Sequence, residues 1–172
     1  MPFTYSAINA KHSIKIGSDD APIKVVEYIN LRCPDSKFYD EEIAPYLDSL
    51  IQEGKVQRIM KHFDKKSYGL ESGNLLNQFL DYEAPSETYK MIQKLFKEQD
   101  DWGFDRLAQI PHIAADYALE LQPANREISK AVLEEVEAVG VEMIPTVFVN
   151  ETAFVERFDF EDFKKEVDRQ IN

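Results

Sequence analysis

The chain has a single cysteine, Cys33, among its 172 residues, and that scarcity excludes both an internal disulfide and a cysteine-built zinc site. Basic charge is also short: 20 Lys and Arg stand against 32 Asp and Glu, a formal net charge of −12. A phosphate-binding face needs clustered Lys or Arg, so neither nucleic acid nor an anionic membrane is an expected partner. Long hydrophobic runs are missing too. No stretch approaches the ~18 apolar residues of a membrane span. From Met1 to Gly17 the apolar residues are interrupted by polar ones, Lys11 and His12 among them, with no h-region of a signal peptide. The expected home is the cytoplasm. His12, His62 and His112 lack any His-x-x-His spacing, so they are expected at the surface or at strand edges, with no metal site. Asp19-Asp20 and Asp100-Asp101 come without a spaced oxygen-ligand loop and read as turns.

What is present is ample core material, 44% hydrophobic and 12% aromatic, enough to exclude a disordered chain. At about 150 residues per domain, the length suits one domain, or one domain with a large insertion. Ile14 to Ile16 can form a short edge strand. Ile23 to Ile29 (IKVVEYI) is rich in β-branched residues and predicts a buried strand. A helix is expected from Asp35 to Glu53, with Gly54 at its C′ position and a kink at Pro45. Val56 to Phe63 predicts another strand. From Ser67 to Ala138 four apolar helical stripes follow one another, the second capped by Ser86 and the third opened by Pro111. Strands return at Ile144 to Val149 and Ala153 to Phe158 around an Asn150-Glu151-Thr152 hairpin, and a last helix opens at Phe160 with Asp159 as its N-cap. The pattern predicts an α/β frame over residues 1–66 and 138–172, interrupted by an all-helical insertion over 67–137.

Cys33 falls just beyond a strand and at the start of a helix. Unpaired backbone N–H groups and the positive end of the helix dipole favour thiolate there, and the thiolate is the reactive form. A buried cysteine serving only as a small hydrophobe is the plainer alternative. Glu27 sits within an otherwise apolar strand, where a carboxylate is costly unless it is paired or neutral.

The segment IKVVEYI, followed by Asn30-Leu31-Arg32 and then Cys33-Pro34-Asp35-Ser36, resembles the active-site segment of the thioredoxin fold in its DsbA-like branch. Val141 to Asn150 (VEMIPTVFVN) resembles the proline loop that faces that site, and a helical insertion between the two is shared with the same branch. The resemblance runs from Ile16 to Asn172. It implies a thioredoxin-like fold, a central mixed sheet flanked by helices, with Cys33 as nucleophile, Pro145 as a cis-proline and Ile144 as the residue whose backbone pairs with an extended substrate. Pro34 and Asp35 adjoin that substrate. It also implies that Glu27 and Lys61 form an acid–base pair beneath the thiol. One departure matters: Ser36 stands where the family has its resolving cysteine, and a hydroxyl cannot usefully attack a disulfide near neutral pH. Asp35 adds negative charge beside the thiol, opposing the helix dipole.

The expected function is thus monothiol thiol–disulfide exchange through Cys33. It would act on a protein or small-molecule disulfide and depend on an external thiol. No cofactor is expected beyond such a low-molecular-weight thiol as co-substrate. Two alternatives stay open: a redox-inactive thioredoxin-like module that binds a peptide, and an enzyme like the kappa-class glutathione transferases, which share the helix-inserted fold. No oligomeric state follows from the pattern.

Overall fold

A strand buried on both faces needs apolar residues at successive positions, not only at alternate ones, and Ile23–Ile29 meets that need everywhere except the half-buried Lys24 near its start and the buried Glu27. In the computed structural model, which describes residues 2–172, this strand is β2, the centre of a five-stranded sheet. The others are β1 (Ile14–Ile16), β3 (Val56–His62), β4 (Thr146–Val149) and β5 (Thr152–Val155), in the order β1-β3-β2-β4-β5. β2 and β3 are parallel, which requires a crossover, and α1 (Pro34–Gln52) supplies it. The remaining pairs are antiparallel.

Side chains alternate along each strand, so the sheet has two chemically distinct faces. On one, Ile23 and Val25 of β2 pack with Tyr39, Ile43 and Leu47 of α1 and with Phe163 and Val167 of α7 (Phe160–Ile171). On the other, Val26, Tyr28, Ile59 and Phe148 pack with Val132, Val136 and Val139 of α6 (Asn125–Val139). Phe3 and Tyr5 close that face by setting their rings edge-on to Phe148, at 5.1 and 5.5 Å between centroids.

Between β3 and α6 lie α2 (Glu71–Asn77), α3 (Pro85–Lys97), α4 (Gln99–Trp102) and α5 (Ile110–Asp116). The expected block of four helices is therefore five, because the chain leaves helical geometry at Glu98 (φ −99°, ψ 16°) before α4. Asp100 and Asp101 belong to α4's first turn, not to an isolated turn. Within the 67–137 segment, α6 lies directly on the sheet, while α3 packs on β1 and α1.

Boundaries differ from expectation for identifiable reasons. α1 starts at Pro34, which needs no N–H in a first turn, and runs unbroken through Pro45, whose position on the exposed face leaves the Glu41 carbonyl to water. α3 starts at Pro85, not after a Ser86 cap, and no side chain caps it. β5 stops at Val155, short of Phe158, because Glu156 has φ +59° and sends its N–H to Pro145 O (2.6 Å). Asp159 does cap α7, accepting from the N–H groups of Glu161 and Asp162.

Candidate active site

Cys33 is the N-cap residue of α1, with extended backbone (φ −72°, ψ 119°) and its carbonyl accepting from Lys37 N–H. No side chain caps that helix end, so its first-turn N–H groups stay available to a negatively charged group at this position. The thiol is 8% exposed and packs among Phe63, Ile144 and Phe148 on the α6 face of the sheet. Its Sγ lies 3.7 Å from the Ile144 carbonyl, and the Ile144–Pro145 peptide bond is cis. Two segments 111 residues apart therefore meet at the sulfur. Pro34 is exposed beside it, and the Asp35 carboxylate is drawn 3.2 Å from Arg157 Nε, across the loop that follows β5.

Ser36 is fully buried, and its Oγ accepts the Asn30 N–H at 3.2 Å. Its oxygen is committed to the backbone and fixes the turn from β2 into α1.

A set of polar side chains holds the rest of that turn. The Asn30 amide donates to Phe63 O (3.0 Å) and Asn74 Oδ1 (2.7 Å) while its oxygen accepts Arg32 N–H (2.9 Å). Gln99, buried in α4, donates to Leu31 O (2.7 Å) and to the carbonyl of Cys33 itself (3.2 Å). His62, expected at a strand edge, is instead 5% exposed beneath the turn. Its Nε2 accepts the Leu31 N–H at 3.0 Å, which places the ring proton on Nδ1, 2.6 Å from Asp64 Oδ1. The imidazole is thus a fixed acceptor for the Leu31 N–H in this turn. Asp64 is in turn held by Asn77 Nδ2 (3.0 Å) and Ser129 Oγ (2.5 Å).

The acid–base pair expected beneath the thiol is not formed. Glu27 and Lys61 are parted by the pleat: Glu27 is opposite Met60 in the parallel register, so it shares a face with Arg58 and not with Lys61. Arg58 Nε and Nη2 reach the Glu27 carboxylate at 2.7 and 2.5 Å, and Nη2 also reaches Asp40 of α1 at 2.8 Å. Burial pushes the Glu27 carboxyl above its ordinary value, against the pull of Arg58. Lys61, on the opposite face, binds both oxygens of Glu135 in α6 at 2.8 and 2.7 Å. Burial draws its ammonium below its ordinary value while Glu135 opposes the shift.

Reasoning from residue types missed Asn74, His62, Gln99 and Arg58. Two kinds of signal were present: Gln99 is a polar residue on the apolar stripe that runs through Ile92, Leu95 and Phe96, and Arg58 and His62 are polar residues in a strand buried at every position. Among the described residues, no group of three or more His, Cys, Asp or Glu side chains gathers as metal ligands.

A family model described as Thioredoxin matches residues 9–169. Disulfide bond formation protein D of Bacillus subtilis (strain 168) is 22% identical over 183 residues, covering 96% of this chain and 82% of that protein. Among solved structures, a conserved protein of unknown function from Enterococcus faecalis V583 superposes with TM-score 0.91 at 30% identity, covering 96% of this chain and 95% of that one. Oxidised BdbD from Bacillus subtilis superposes with TM-score 0.76 at 20% identity, with 95% of each chain covered.

Proposed function

This chain belongs to the thioredoxin family, in its DsbA-like branch, and from that premise we propose that it is a thiol–disulfide oxidoreductase of monothiol type. One observation carries the reading: the only thiol in the chain caps α1 and faces the carbonyl that precedes cis-Pro145, with Sγ 3.7 Å from Ile144 O. An extended substrate segment laid against Ile144 brings its disulfide to the sulfur.

Exchange then proceeds in two displacements. The Cys33 thiolate attacks one sulfur of a substrate disulfide, forming the Cys33–substrate mixed disulfide and expelling the other sulfur as a thiolate. With Ser36 engaged by Asn30 N–H, no second sulfur of this chain resolves the intermediate. An external thiolate attacks the substrate sulfur instead, restoring the Cys33 thiolate and carrying the substrate away as a new disulfide. Electrons balance within exchange, and no metal or organic cofactor takes part. A reducing, cytoplasmic setting belongs to this proposal, since it supplies the outside thiol; fractionation of the native host tests that placement.

The enzyme reading is tested by incubating the protein with a disulfide-linked peptide and following intact mass. A Cys33 adduct that forms, persists, and is released only on adding a small thiol supports monothiol exchange. Release with no added thiol, or an adduct on Cys33→Ser, overturns it. A chain that binds the peptide yet never forms an adduct is a binding module instead.

A further inference from the structure

Arg32 precedes Cys33 directly, so their Cα atoms are ~3.8 Å apart, and its surroundings are built for it. Its Nε donates to Gly103 O at 2.6 Å, and its guanidinium carbon lies 4.4 Å from the centroid of the Phe104 ring. That fixes the plane of the group between a backbone acceptor and an aromatic face. Two glycines make the space. A Cβ on Gly103 would come within 2.9 Å of Arg32 Nε, and a Cβ on Gly73 within 2.7 Å of Arg32 N and 2.9 Å of its Cβ. Any other residue at either position would push into the Arg32 slot.

The remaining two nitrogens of the guanidinium are unused. Among the described residues, neither Nη1 nor Nη2 of Arg32 makes a hydrogen bond, and Arg32 forms no ion pair, although the chain carries 12 more acids than bases. Asp35, the nearest acid in sequence, is turned to Arg157, and Asp100 is turned to Lys37. The site is also open: Phe104 is 76% exposed, an unusual state for a phenylalanine held against a charged side chain. A clamped, unpaired fork on the residue directly before the nucleophilic cysteine suits an oxyanion taken by two parallel N–H donors, and the oxyanion that peptide and small-thiol disulfides carry is a carboxylate.

We infer that Arg32, seated against Gly103 and Phe104, is the specificity-determining residue of this site. It selects disulfides that carry a carboxylate close to the reacting sulfur. The inference rests on the monothiol reading. Two sources supply that chemistry: the carboxylates of a small cellular thiol, and an acidic residue adjoining the cystine of a protein substrate. Arg32 contributes binding and orientation of the disulfide, and the bond exchange itself remains with Cys33.

The test compares second-order rate constants for adduct formation on Cys33 in two arms. In the first, oxidised glutathione is set against its ethyl ester. In the second, a disulfide-linked peptide with Asp beside the cysteine is set against the same peptide with Asn. Wild type reacts faster with the acidic member of at least one pair, and the arm in which it does so names the source. Arg32→Gln lowers that acidic-to-neutral ratio by about tenfold, the order expected for losing one charge-assisted contact. Phe104→Leu, at an exposed position that spares the fold, lowers the ratio by a smaller factor because the guanidinium is no longer held flat. Equal rates within both pairs, or a ratio indifferent to Arg32→Gln, overturn the inference and leave monothiol exchange standing. Absence of any Cys33 adduct in both arms overturns the exchange reading, and this one with it.

Discussion

Replacing Arg58 with methionine is the sharpest test of how the buried half of the site is held. Arg58 is fully buried and makes four short contacts: two to Glu27 (2.7 and 2.5 Å), one to Asp40 (2.8 Å) and one to Tyr89 OH (2.8 Å). Arg58→Met keeps much of the volume and leaves two carboxylates facing each other, with side chains 0% and 3% exposed. Removing one partner of a buried ion pair costs about 3–5 kcal/mol, because the other charge stays behind. At roughly 2–4 °C per kcal/mol for a chain of this size, the melting temperature falls by about 6–20 °C. The deficit also depends on pH. Burial already raises Glu27 above its ordinary 4.5, and without Arg58 it rises further. A raised carboxyl contributes stability that is complete below the unfolded value and is lost as pH climbs through the folded one. The variant therefore recovers on acidification, by up to about 1.4 kcal/mol per pH unit over the window above 4.5. Urea unfolding of both proteins, followed by circular dichroism at about pH 7 and about pH 5, measures the two terms. A deficit below about 1 kcal/mol at the higher pH, well under the expected loss, or a deficit that does not shrink at the lower pH, refutes the reasoning.

Gln99→Leu removes the donor shared by Leu31 O and Cys33 O. The Leu31 carbonyl, left buried and unpaired, costs about 1–3 kcal/mol, while the Cys33 carbonyl keeps its bond from Lys37 N–H, and the loosened turn slows Cys33 alkylation severalfold. An alkylation–pH profile superimposable on wild type rules the tether out. Ser36→Cys places a second thiol three residues into the same helix end, within reach of Cys33 on one helix face. A glutathione adduct on Cys33 that persists in wild type is then released without added thiol, as mass spectrometry would report. Persistence of the adduct in this variant would mean that the buried position of residue 36 blocks resolution.

The frame was readable because its strands announce themselves locally. IKVVEYI is apolar at successive positions, Gly54 takes the positive φ of +73° that follows a helix end, and Asp159 occupies a capping position whose N–H partners lie two and three residues ahead. These are short-range consequences of side-chain period and backbone geometry. Cys33, Ile144 and Pro145 were found from motif order, and the structure brings them together. The partner of Glu27 was not readable. Arg58 and Lys61 differ by three positions in one strand, and only the register decides which of them shares the Glu27 face. Register is a property of the folded sheet, and a parallel pair separated by a whole helix carries no turn from which to infer it.

The helical insertion changes meaning once its contacts with residues 30–33 are followed. Asn74 holds Asn30, Gln99 holds the carbonyls of Leu31 and Cys33, and Gly73 and Gly103 leave the space that Arg32 occupies. From the frame itself, His62 holds Leu31 and Ser36 holds Asn30. Every one of these contacts is polar or steric, and none involves a second sulfur. The turn is therefore positioned without a second thiol at residue 36. A hydroxyl there satisfies the Asn30 N–H, so the absence of a resolving cysteine removes one chemical step without loosening the nucleophile. What remains is a nearly buried thiol beside cis-Pro145 and a guanidinium whose two terminal nitrogens are free. Under the monothiol proposal an external thiol supplies the missing step, and the inferred task of Arg32 is to select the acidic disulfide on which the exchange acts.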